Sequence, residues 1–173
     1  MSIRVDEQEM SFSFEGTTFS LLGGERAITT PAREMSMSKA DLPQRWEERP
    51  VKVMDQPKFG QRDYAAAKFL MRDHTGEKAA LSFETVVYND QRTAAMVLMG
   101  TLSKMGFLKL SKVEIGDAGA MIEVEGKVGR RMKAIAFVER NVFGLVLLSC
   151  TPDCVASDSW LISMARLMAS RIR

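Results

Sequence analysis

The chain has 173 residues, which is long enough for one hydrophobic core and short for two domains. Hydrophobic residues make up 46% of the sequence and charged residues 27%, and this balance excludes a wholly disordered chain. The 24 basic and 22 acidic residues are mixed along the sequence and leave a formal charge of only +2, so we expect no nucleic-acid partner.

The first part of the chain, residues 1–37, is predicted to form strands followed by an arm. Residues 10–22 alternate apolar and polar side chains around a central Glu15-Gly16 pair. This pattern indicates either two short strands or one bulged strand. Residues 23–39 have no sustained hydrophobic period and contain a proline, so we expect a loop or arm there that becomes ordered in an assembly.

A short strand and a long hairpin are predicted next. The prolines of segment 43–53 exclude a long helix, and the alternation of Val51 and Val53 predicts a short strand. Residues 62–88 are rich in alanine, which favours a helix, but their apolar side chains repeat at every second position. Because residues 74–76 form a turn-like sequence, we predict a β-hairpin.

Helices are predicted on either side of a run of strands. The first helix begins after Asn89 or Asp90, either of which can cap it, and ends at Gly106. The terminal helix follows Ser157 or Asp158 and carries one apolar stripe. Between the two helices lie four strand-like segments that predict an antiparallel meander: 107–115, 118–125, 132–139 and 142–150.

The most apolar stretch of the chain, residues 142–148, is about one strand long and apolar on both faces. Such a stretch is typical of a central strand that is covered on each side. The sequence therefore predicts a single α+β domain in which helices pack on the faces of a twisted, mainly antiparallel sheet.

Four segments carry a resemblance to a known family: "ADLPQRWEE", "VVYNDQRTAAMVL", "VEIGDAGAMIEVEG" and "AIAFVERNVFGLVLLSC". In this order they resemble the PsbP-like superfamily, whose α/β/α fold occurs in photosystem extrinsic subunits, a eukaryotic Ran-binding protein and DcrB-type lipoproteins. The resemblance covers residues 38–173. It implies an adaptor, assembly factor or accessory subunit, and it brings no shared catalytic residues.

Two cysteines and a basic segment that contains glycines are the candidates for chemistry in this sequence. Cys150 and Cys154 have too few ligands nearby in sequence for a zinc site, so we expect free buried thiols, although a bridge between them stays open. The segment "EGKVGRRMK" departs twice from the phosphate-binding loop pattern. We therefore predict no catalytic, cofactor-binding or metal-binding residue.

Five residues are candidates for contact with a partner. Trp46 stands in a polar segment flanked by prolines, where its ring is either core or exposed to a partner. A hairpin tip with four cations could contact phosphates, acidic lipid or an acidic protein, or it could be a solvated turn. The cations of this tip are Lys127, Arg130, Arg131 and Lys133.

The sequence thus predicts a non-enzymatic accessory protein that binds another protein, with homo-oligomerisation left open. One alternative is a chaperone-like protein, as the DcrB-type resemblance suggests, with a methionine-rich surface around Met96, Met99 or Met121. The other alternative is a small-ligand-binding protein. No segment reaches the roughly 18 apolar residues of a membrane helix, and residues 1–10 do not form a secretory signal, so we expect a soluble cytoplasmic protein unless a leader was removed.

Overall fold

The computed structural model describes residues 2–5, 9–23, 26–51, 60–126, 129–152 and 157–173. Within these residues the elements follow in chain order as β1 (Ser2–Val5), β2 (Glu9–Phe14), β3 (Thr17–Leu22), α1 (Ala32–Met35), a 3₁₀ turn (Lys39–Asp41), β4 (Trp46–Arg49), β5 (Gln61–Asp73), β6 (Gly76–Tyr88), α2 (Gln91–Lys104), β7 (Phe107–Val113), β8 (Ala118–Glu125), β9 (Arg131–Glu139), β10 (Val142–Cys150) and α3 (Asp158–Ser170).

Seven of the described strands form one antiparallel sheet in the order β4-β5-β6-β10-β9-β8-β7. β1, β2 and β3 form a smaller antiparallel sheet. The predicted α+β class, the β5–β6 hairpin and the antiparallel meander from β7 to β10 are confirmed. β10 lies between β6 and β9, so the prediction of a central strand at residues 142–148 is also confirmed.

Apolar layers cover both faces of the large sheet. α1 and α3 pack on one face, over a core that includes Phe69, Phe83 and Phe137. α2 and the β2–β3 hairpin cover the other face, where Phe12 and Phe19 stack with their ring centroids 5.0 Å apart. Two covered faces explain why β10 carries apolar residues at consecutive positions rather than alternate ones.

Gly144 in β10 allows a close packing contact inside the first of these cores. It pairs with Phe137 of β9, and a Cβ atom at position 144 would lie only 2.3 Å from Cζ of that ring. The Phe137 ring therefore occupies the space that any larger residue at position 144 would need.

The helix ends agree with the predicted caps. The Asp90 carboxylate accepts hydrogen bonds from the Thr93 backbone N–H at 2.7 Å and from the Thr93 hydroxyl at 2.9 Å, at the start of α2. Ser157 Oγ accepts from the Trp160 backbone N–H at 3.1 Å, at the start of α3. Both side chains satisfy an N–H group that has no partner within its helix.

Residues 23–39 were predicted to be a loop or an arm that becomes ordered in an assembly, and the described part of this segment is largely irregular, as a loop is, but it packs on the core of this chain. Ile28, Ala32, Met35 and Met37 are buried in the core under α3. These residues follow an irregular path with only a short helix, so their apolar positions have no regular spacing. This irregularity explains why the sequence pattern resembles that of a loop.

Asn141, in the β9–β10 turn, holds this segment in place. Its side chain is 1% exposed, donates through Nδ2 to the carbonyl oxygens of Ile28 at 3.1 Å and Tyr88 at 2.8 Å, and accepts from the Ile28 N–H at 2.6 Å. One amide thus joins the N-terminal segment, the end of β6 and the start of β10.

The short strand predicted around Val51 lies earlier in the chain. β4 ends at Arg49, and Val51 is in an irregular segment, while Val53 lies outside the described residues. Pro50 has no backbone N–H to donate to a neighbouring strand, so pairing stops before it.

Candidate partner-binding surface

Acidic neighbours compensate two of the four candidate cations on the β8–β9 hairpin. Arg130 donates to Ser149 Oγ at 2.9 Å and to the Ser149 carbonyl oxygen at 3.1 Å, and it lies 3.5 Å from the Glu77 carboxylate. Lys133 binds the Asp158 carboxylate, which contributes most to the raised pKa of Lys133.

The two remaining candidates of the hairpin are Arg131 and Lys127. Arg131 is exposed, and Lys127 lies outside the described residues. The two compensated cations connect strands to each other and to α3, so their main contacts are within this chain. Sequence alone did not reveal this pairing because Glu77 and Asp158 are distant along the chain.

Trp46 is a core residue, so the hypothesis that its ring is exposed to a partner is wrong. Its side chain is 4% exposed and stacks on Trp160 of α3, with the ring centroids 6.1 Å apart and the planes 5° apart. The pair joins the edge strand β4 to the terminal helix.

The methionines proposed for a chaperone-like surface do not share one face of the sheet. Met99 is buried on the α2 face, whereas Met121 packs against the core on the α3 face. Met96 is 52% exposed on α2. A concave surface that uses Met99 and Met121 together is therefore incompatible with this packing.

Cys150 is a buried free cysteine, as predicted, and Cys154 lies outside the described residues. Across the described ranges, no group of three or more His, Cys, Asp and Glu side chains is placed to hold a metal ion. In the same part of the chain, the helices are too short or too polar to cross a membrane.

A groove of about 490 Å³ lies near the β4 edge of the large sheet, between α1 and β5. β4 pairs with β5 only from residue 68 to residue 71. Among the described residues, no strand lies beside the outer edge of β5 from residue 61 to residue 67. The groove follows this edge and is lined by Pro31, Arg33, Ser36, Met37, Glu48 and residues 63–67.

Three consecutive alanines line this groove. Ala65 and Ala67 face the core beneath α1, and Ala66 faces the opposite side. In a helical context the same residues would be strong helix formers, so their place in a long strand reflects tertiary packing.

Two side chains next to the alanines fix the walls of the groove. The Asp63 carboxylate accepts from the Ala32 N–H at 2.7 Å, which anchors the start of α1, and from the Tyr64 N–H at 2.9 Å. The Tyr64 hydroxyl donates to Glu84 at 2.9 Å. Burial, together with this hydrogen bond to a carboxylate, raises the pKa of Tyr64 to about 12.

Opposite charges lie toward the two ends of the groove. Arg33 is exposed and follows Ala32, which Asp63 binds, so it lies toward the Asp63 end. Glu48 is exposed on β4 and pairs in register with Phe69, so it lies toward the Ala67 end. At about 3.3 Å per residue, the edge from residue 63 to residue 67 spans roughly 13 Å.

These features define an α+β domain with an antiparallel sheet that is covered on both faces and bears a groove at one edge. No protein-family model matches the sequence, and no curated protein matches it. The fold is similar to the extracellular domain of PknH from Mycobacterium tuberculosis, with a TM-score of 0.61 and 8% sequence identity over 82% of this chain and 94% of that chain. This likeness concerns the fold alone, and the PsbP-like resemblance stays a prediction.

Proposed function

We propose that this chain is a non-enzymatic accessory protein of the PsbP-like type that binds another protein in the groove between α1 and β5. The observation that carries the proposal is this groove, which is lined by exposed charged side chains and by apolar ones. Location in the cytoplasm and self-association are further predictions that this groove does not require.

The lining of the groove suits a segment of another protein because it combines apolar and charged side chains. Met37, Ala65 and Ala67 are apolar, while Arg33 and Glu48 carry charges of opposite sign. By contrast, Arg130 and Lys133 of the β8–β9 hairpin already have partners within the chain. The groove between α1 and β5 is therefore the better candidate surface.

Photo-crosslinking in the source organism tests this proposal. A photoreactive amino acid at Arg33, which is exposed and lines the groove, should capture a discrete partner protein. The matched control is the same amino acid at Lys104, an exposed residue at the end of α2 on the opposite face. Capture from Lys104 with equal yield, or no capture from Arg33, would contradict binding at the groove.

A further inference from the structure

We draw no further inference here: the strongest candidate, the strip of half-buried apolar side chains on the α2 face of the large sheet (Ala80, Met132, Leu145 and Leu147), carries nothing because no described part of the chain shows what covers it.

Discussion

At position 144 the core has no room for a side chain, because the Phe137 ring lies where a Cβ atom would be. We expect Gly144→Ala to lower the free energy of unfolding by about 2 kcal/mol, because the added methyl group must displace the Phe137 ring. The matched control is Gly100→Ala in α2, where a Cβ meets no atom within 4 Å and helix propensity should raise stability by up to about 1 kcal/mol. Urea unfolding of both variants measures these changes. Equal stability of Gly144→Ala and the wild type would show that the ring does not occupy this space.

Asn141 is the buried polar residue on which the N-terminal segment depends. Asn141→Ala should lower the free energy of unfolding by about 3 kcal/mol, because it leaves the buried N–H and C=O of Ile28 and the carbonyl of Tyr88 without their partner. Hydrogen exchange of the Ile28 amide should accelerate more than that of β10 amides. The exposed Asn89 provides the control, since Asn89→Ala should change stability by less than about 0.5 kcal/mol. Unchanged exchange at Ile28 would argue against this role.

At the level of elements, an ion pair joins the 3₁₀ turn to the end of α3. Arg171 donates to both oxygens of Asp41, at 2.8 and 2.5 Å, and to the Ser36 carbonyl oxygen at 2.9 Å. The hydrogen bonds from Arg171 lower the pKa of Asp41 from 3.8 to about 2. The folded state therefore favours the ionised carboxylate, which links stability to pH.

The lowered pKa of Asp41 predicts that the folded protein loses stability at acid pH. Because the pKa is lower in the folded state, the stabilisation by Asp41 is present above about pH 4 and is lost as the pH falls toward 2. Asp41→Asn should remove this part of the acid dependence and cost up to about 2 kcal/mol at neutral pH. Denaturant unfolding between pH 5 and 2 measures both effects. Identical acid slopes for the variant and the wild type would contradict the assignment.

The elements themselves were largely predictable because their signals are local. Alternating apolar residues define β5 and β6, and Asp90 and Ser157 mark the two long helices by their capping side chains. The segment around Ile28 was not predictable, since its burial depends on Asn141, 113 residues away. The sequence pattern places β4 too late in the chain. Its apolar alternation continues to Val51, whereas the strand ends at Arg49.

At the scale of the whole molecule, the candidate surface depends on contacts that no local pattern contains. The groove forms where α1, β4 and β5 meet, and these elements come together only in the folded chain. The cations of the β8–β9 hairpin were visible in the sequence, but their acidic partners on β6 and α3 were not. The fold could therefore be predicted more completely than the site.

The central claim is that a partner protein binds in the groove between α1 and β5. Hydrogen exchange of the chain with and without the partner captured by crosslinking, followed residue by residue with NMR, tests this claim most directly. Amides of residues 31–37 and 62–67 should become more protected when the partner binds, whereas those of β7, at the far edge of the sheet, should not change. If exchange in residues 31–37 and 62–67 did not change on binding, the partner would bind elsewhere and the account would be wrong.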